Sequence, residues 1–405
     1  MNRALSGSTL PPGWRWTTAD AAGVEVFDCP HSTPKLTSRG PFVVRTQDID
    51  SGAFRSENAA HVSVETYRER VARAEPRYGD ILYSREGAYY GVAAEVPPIT
   101  LMCLGQRMVL IRPPIDKVDH SFLKYWMNSP AGRAFAESHR EGSAAPRINL
   151  PTIRSFPIPL PPIEEQRAIA ARLGALDDKI ESNRRLIALA EELARAHFSR
   201  LFQIDDLDSG VPLSTLVTIN PRRVLPAGQA STYVGMASIP EFSAEVYEWE
   251  PKPAGSGQRF TNGDVLMARI TPCLENGKTA IVDMLQPGEI GWGSTEYVVL
   301  APKVDFTTAW IYCLVRDDRV RDFAIRSMSG TSGRQRFQAG RFDQYRIVPP
   351  TAEALNEFNY IATPLFTRMT QMRDEVKTLC ALRDALVPEL LSGRIRVPEA
   401  AEAFA

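Results

Sequence analysis

The chain repeats itself, and that self-similarity limits its fold more than any other feature. Gly79-Asp80-Ile81-Leu82 recurs as Gly263-Asp264-Val265-Leu266, each a turn running into a β-branched, strand-like segment, and Phe42-Val43-Val44 answers to Tyr233-Val234-Gly235. The match is closest where each half ends. Arg147-Ile148-Asn149 through Phe156-Pro157-Ile158-Pro159 parallels Arg336-Phe337-Gln338 through Tyr345-Arg346-Ile347-Val348, at an offset of about 190 residues. Both stretches reach a double proline, Pro161-Pro162 and Pro349-Pro350, which a helix interior rejects but a helix start accepts. A length of 405 residues leaves room for two domains of about 150 residues with connecting elements between them.

A long helical pattern follows each double proline. In the first, Ile169, Leu173, Leu176, Ile180, Asn183, Ile187, Ala190, Ala194, His197 and Leu201 alternate in steps of four and three, the seam of a coiled coil. In the second the seam is Leu355, Phe358, Ala362, Leu365, Met369, Met372, Val376, Leu379, Arg383, Leu386 and Leu390, with Pro364 expected to kink it. Each helix should run roughly 38 residues, about 57 Å. A lone helix would leave its apolar stripe in water, so each seam needs a partner, and the economical one is the other helix. Asn183 on the seam reads either as a tolerated polar residue or as a device that fixes register in an antiparallel pair. His197 reads as a helix-end packing residue, and Trp14 and Trp16 as core anchors.

The expected fold class is therefore α+β: two β-rich, mixed α/β domains related by an internal pseudo-two-fold repeat and separated by two long antiparallel coiled-coil helices. The boundaries expected are 1–160 for the first domain, 161–203 for the first helix, 204–349 for the second domain, 350–395 for the second helix and 396–405 for a tail.

Composition excludes several alternatives. Apolar residues at 44% and charged residues at 23% suit a folded core rather than a disordered chain. No window approaches eighteen uninterrupted apolar residues, and 1–12 lacks the charged-then-apolar layout of a secretory signal, so a cytoplasmic location is expected. Cys29, Cys103, Cys273, Cys313 and Cys380 form no metal-ligand spacing and read as buried, reduced thiols. No glycine-rich cofactor turn, Asn/Asp-Pro-Pro-aromatic motif, Walker loop, histidine pair or Gly-x-Ser-x-Gly elbow is present. A non-catalytic chain with no cofactor and no metal is expected.

The residues resemble the specificity subunits of type I restriction-modification systems. The resemblance is carried by Ile158 through Gln166 followed by Ile169-Ala170-Ala171-Arg172-Leu173, and by the run Leu382 to Ile395. Leu10-Pro11-Pro12-Gly13-Trp14 and Gly293-Ser294-Thr295-Glu296-Tyr297-Val298-Val299-Leu300 add to it. The resemblance implies two target-recognition domains that read the halves of a split DNA site, and antiparallel helices that space them. It also implies two methyltransferase subunits and restriction subunits (translocase and nuclease) as partners, with docking at Glu164, Glu165, Gln166, Leu386 and Leu390. The second helix departs from the pattern, opening Thr351-Ala352-Glu353-Ala354-Leu355 where a Glu-Gln pair is usual.

Base reading favours arginine for guanine and asparagine or glutamine for adenine, on loops carried by a rigid sheet. The candidates are Arg85, Tyr89, Gln106, Arg107, Arg147 and Asn149 in the first half. In the second they are Arg269, Thr271, Asn276, Lys278, Arg334, Gln335 and Arg336. Tyr89 and Tyr90 should alternate across a strand, one inward and one toward a groove. A net charge of −1 is low for a DNA binder. Partner subunits would then supply much of the phosphate contact and this chain the base readout. Between Arg316 and Arg346, eight arginines stand against four acids, a charge pattern that a solvated helix face accounts for equally well over Arg316–Arg326.

Overall fold

The computed structural model describes residues 10–50, 52–142, 146–205, 210–331 and 333–397. The expected tail, apart from Arg396 and Val397, lies outside them. The described residues pack into two compact units, one within Met1–Ile180 and Thr378–Ala405, the other within Glu181–Lys377.

In the first unit the strands are β1 (Arg15–Thr18), β2 (Glu25–Asp28), β3 (Leu36–Val44), β4 (Ile49–Asp50), β5 (Ala53–Phe54), β6 (Ala60–Val62), β7 (Ile81–Ser84), β8 (Ala93–Glu95), β9 (Met102–Leu104), β10 (Met108–Arg112) and β11 (Pro157–Leu160). The helices are α1 (Val64–Arg70), α2 (His120–Asn128), α3 (Pro130–Ser138), α4 (Leu150–Arg154) and the start of α5 (Ile163–Leu201). An antiparallel sheet ordered β2-β10-β7-β8 forms the centre, with β6-β3-β9 on one side and the pair β1-β11 apart. Ile81 and Tyr83 face α2 and α3, while Leu82 between them faces the second sheet. Burial on both faces explains why this strand reads as a continuous apolar run.

The second unit repeats the plan. Its strands are β12 (Val211–Pro212), β13 (Val217–Ile219), β14 (Ala230–Val234), β15 (Glu250–Pro253), β16 (Arg259–Phe260), β17 (Val265–Ala268), β18 (Thr279–Ile281), β19 (Gly291–Gly293), β20 (Tyr297–Pro302) and β21 (Arg346–Ile347). Its helices are α6 (Thr308–Arg316), α7 (Asp318–Arg326) and the start of α8 (Ala352–Leu391). The central sheet is β13-β20-β17-β18, the same order with the same antiparallel pairing. Val265 and Met267 face α6 while Leu266 faces the second sheet. In each unit a parallel pairing ties the second sheet, β3 to β9 and β14 to β19.

The recurring Gly-Asp turns have a common cause. Gly79 and Gly263 both sit at φ +91°, a left-handed conformation that favours glycine. The following carboxylates are buried and accept backbone hydrogen bonds from Arg77 and Thr261. Asp80 is neutralised by Arg112 on β10, whereas Asp264 is neutralised by Arg223 in a loop, so one device is completed from unrelated sequence positions. The helix pairs are capped alike, by Asp119 and Ser129 in one unit and by Thr307 and Asp317 in the other.

The long helices span 39 and 40 residues, and α8 continues unbroken through Pro364, whose ring lies on the exposed side. Each unit takes a length of both helices, because the apolar seams enter the unit cores. Ile169, Leu173 and Leu390 join the first core, and Ile187, Ala194, Leu355 and Phe358 the second. Within each unit the two segments run antiparallel: Asp177 meets Arg383 at 2.9 Å in the first, and Asn183 meets Glu375 at 2.9 Å and Arg200 meets Glu357 at 2.6 Å in the second. His197 stacks on Phe358. Trp14 is buried with its indole N–H on Glu165, and Trp16 packs on Trp126. Cys29, Cys103 and Cys313 are buried free thiols, but Cys273 and Cys380 are only partly covered, contrary to the expectation for all five.

Candidate nucleic-acid interface

In both units the chain leaving the central strand is held by its neighbours in the same way. Arg85 N–H donates to the Arg107 carbonyl and the Arg85 carbonyl accepts from Ile148 N–H; Arg269 N–H donates to the Glu296 carbonyl and its carbonyl accepts from Phe337 N–H. Two residues on, Gly87 N–H reaches the Pro146 carbonyl and Thr271 N–H the Gln335 carbonyl. This framework brings Arg85, Arg107 and Arg147 together in the first unit and Arg269, Arg334, Gln335 and Arg336 in the second.

The charges on the two frames differ. In the first unit each arginine faces its own acid: Arg85 Asp28 at 3.6 Å, Arg107 Glu86 at 3.3 Å, Arg147 Glu141 at 3.5 Å. In the second, position 296 carries glutamate where the first unit has Arg107, and this one carboxylate serves two arginines. Arg336 donates from Nε at 2.9 Å and sets its Nη2 2.8 Å from the same oxygen as an ion pair, and Arg269 donates from Nε at 3.2 Å. Hydrogen bonding from Arg336 holds the Glu296 carboxyl below the usual carboxylate range, with Arg269 adding to it, and Glu296 in turn raises the Arg336 guanidinium. Arg334 and Arg107 are exposed, and Arg334 shows no side-chain hydrogen bond or ion pair among the described residues.

The remaining candidates divide by how far they are already engaged. Tyr89 is exposed while Tyr90 packs on the core; a turn rather than a strand separates them. Asn149 caps α4, its side-chain oxygen accepting from Thr152 N–H and its amide donating to Glu141. Gln106 donates to the His31 carbonyl, Asn276 to Glu241 and Lys278 to the Met236 carbonyl. The Thr271 hydroxyl lies 4.0 Å from the Met328 sulfur. Glu296, Glu86 and Glu141 were not singled out from the sequence. The repeat offset that aligns Arg147 with Arg336 also aligns Arg107 with Glu296, and that alignment was the available signal.

The residues expected to dock partners differ in how far they are exposed. Gln166 is fully buried: its side-chain oxygen accepts from Asp119 N–H, and its amide donates to the Lys117 and Pro161 carbonyls. Leu390 is buried and Leu386 packs against the same core. Glu165 is shielded between Trp14 and Arg396. Of the five, Glu164 alone projects into solvent, paired with Arg167. The other four make contacts within the first unit, Gln166 and Leu390 buried and Glu165 and Leu386 partly covered.

Among the described residues no helix is long and apolar enough to cross a membrane, and no cluster of metal-ligating side chains occurs. A family model described as the type I restriction modification DNA specificity domain matches residues 64–192. The MjaIX specificity subunit of Methanocaldococcus jannaschii is 23% identical over 92% of this chain and 88% of its own length. The EcoEI specificity subunit of Escherichia coli is 28% identical over 43% of this chain, which covers 30% of that larger subunit.

The chain resembles the specificity subunits of type I restriction enzymes.

The crystal structure of a type I restriction-modification S subunit from M. genitalium agrees in fold, with a TM-score of 0.56 at 15% identity over 94% of this chain and 97% of that one. The fold class is thus that of a specificity subunit: two mixed α/β units of like topology, with two long helices antiparallel within each.

Proposed function

We propose that this chain is the sequence-specific DNA-binding specificity subunit of a type I restriction-modification complex. It reads a split site with an unread spacer, one half-site to each unit, and directs adenine methylation or restriction carried out by partner subunits. The chain itself is non-catalytic, needs no cofactor of its own, and works in the cytoplasm on double-stranded DNA with two methyltransferase subunits and with restriction subunits.

The observation that carries this reading is the arginine-bearing loop cluster found at the same topological place in both units. A rigid sheet fixes its backbone, so the guanidinium groups are held for two-pronged recognition rather than left to search. Resemblance to specificity subunits along both halves supports the same conclusion. A near-neutral chain suits a division of labour in which partners supply phosphate contacts and this chain supplies base contacts.

Co-expression with the methyltransferase of the same system in cells free of adenine methylation tests the proposal. Sequencing the methylated positions should return one split sequence with a fixed gap. An undivided sequence, or methylation by the chain after the methyltransferase is removed, overturns it.

A further inference from the structure

We propose that Glu296 is a positioning residue for base reading by the second unit: it clamps Arg269 and Arg336 so that the neighbouring Arg334 is presented to the DNA. The inference rests on the reading of this chain as a DNA-specificity subunit and names the side chains through which one half-site is read.

Three segments meet at this carboxylate. Glu296 begins the segment entering β20, Arg269 follows β17, and Arg336 belongs to the stretch before β21. The two oxygens of Glu296 accept from Nε of Arg336 and one of them from Nε of Arg269, and Nη2 of Arg336 completes the ion pair. The third nitrogen of Arg336, Nη1, donates to the Arg334 carbonyl at 3.3 Å. Each nitrogen of Arg336 therefore has a partner inside the protein. Backbone pairing of Arg336 with Ser329, and of Gln335 with Thr271, fixes the same stretch from its other sides. Arg334, two residues before Arg336, is exposed and has no side-chain partner among the described residues, so of the three arginines its donors are the most open to a base.

Removing the charge undoes the arrangement for a physical reason. Two guanidinium groups share one carboxylate at hydrogen-bond distance; a neutral glutamine offers one acceptor oxygen and turns an N–H donor toward a guanidinium donor. The two cations then repel, and the Arg336 contact that holds the Arg334 carbonyl is released. Among the described residues of the first unit no acid is shared by two of these arginines. Arg107 stands at the equivalent position and its arginines have separate partners, so the effect belongs to one half-site only.

The test uses the full chain assembled with its methyltransferase subunits. The duplexes are derived from the wild-type methylated site, with all four bases placed in turn at each read position. Arg334→Ala identifies the half-site served by the second unit. Glu296→Gln and Arg336→Lys are each expected to lower the preference for the cognate base there by about tenfold or more, the worth of one bidentate contact. The other half-site should be unchanged. Combined, the two substitutions should cost little more than either alone, because they break one unit. Glu296→Asp, which keeps the charge, should retain part of the preference.

Unaltered preference in Glu296→Gln overturns the proposal, as does an equal fall in affinity for every sequence, which a merely structural carboxylate would give. Should Glu296→Gln fail to fold, Arg336→Lys carries the test alone, and an unchanged preference there is equally fatal. A wild-type complex that selects no split sequence would instead overturn the DNA reading beneath it.

Discussion

Gln166→Leu separates a structural role for the start of α5 from a docking role, and the two units supply the comparison. Gln166 is wholly enclosed, accepting from Asp119 N–H at 2.9 Å and donating to the Lys117 and Pro161 carbonyls at 3.0 and 2.9 Å. The repeat places Leu355 at the same point of α8, also buried, so a leucine of this size fits an equivalent site. In the first unit, however, the three backbone groups that Gln166 satisfies would lose their partner. Three neutral hydrogen bonds are worth about 3 kcal/mol in all. The gain from a more apolar side chain offsets about 1 kcal/mol of that, leaving a net loss of about 2 kcal/mol. That should lower the melting of the first unit by about 4–8 °C. Hydrogen exchange read separately on the amides of β7 and β10 and on those of β17 and β20 is the appropriate assay, since a single melting curve would mix two units. Faster exchange in the first sheet with no change in the second is expected. Unchanged exchange in both, with loss of methyltransferase binding, would refute this reasoning and restore Gln166 to the docking surface.

Other outcomes follow from the same physics. Asn183 is fully buried, donates to Glu375, and leaves its side-chain oxygen without a partner, so Asn183→Leu should stabilise the second unit by about 1 kcal/mol in denaturant unfolding; a loss of that size would mean the bond to Glu375 outweighs the orphaned oxygen. Glu296 titrates below its ordinary value, so its contribution is complete above the unfolded carboxylate pKa of about 4.3 and is lost as pH falls through the lower folded value. The stability difference between wild type and Glu296→Gln should therefore hold steady from pH 8 to about pH 5 and close only below about pH 4. Closure between pH 5 and 7 would contradict the pairing. Gly263→Ala should cost the second unit about 1 kcal/mol or more, measured by denaturant unfolding, because φ +91° strains any side chain; a neutral result would show that the turn can relax.

What the sequence disclosed was what periodicity and repetition can carry. The Gly-Asp turns, the apolar runs buried on both faces, and the seams of α5 and α8 are local patterns, and each appears where its spacing implies. The burial of Gln166 was also legible: it stands three residues before Ile169 and seven before Leu173, on the seam's own face, although its Glu-Glu-Gln context suggests a surface. Leu386 and Leu390 were on the seam for the same reason. The pairings that shape the candidate interface were not legible, because they join residues far apart in sequence. Nothing local distinguishes Arg336, held by Glu296, from Arg334, which is exposed two residues earlier, or indicates that Asp80 and Asp264 draw their arginines from different strands and loops. Asn149 shows the same limit: its residue type suits adenine recognition, but its position before Leu150-Pro151 makes it a helix cap.

The central claim is that each unit reads one half of a split site. Its most direct measurement is the set of adenines methylated in cells carrying this chain and its methyltransferase, determined by sequencing for wild type, Arg107→Ala and Arg334→Ala. The account predicts a split sequence for wild type, with Arg107→Ala relaxing one half and Arg334→Ala relaxing the other, and with the gap between the halves unchanged. If both variants relaxed the same half, or if each altered both halves together, the two units would not be separate readers.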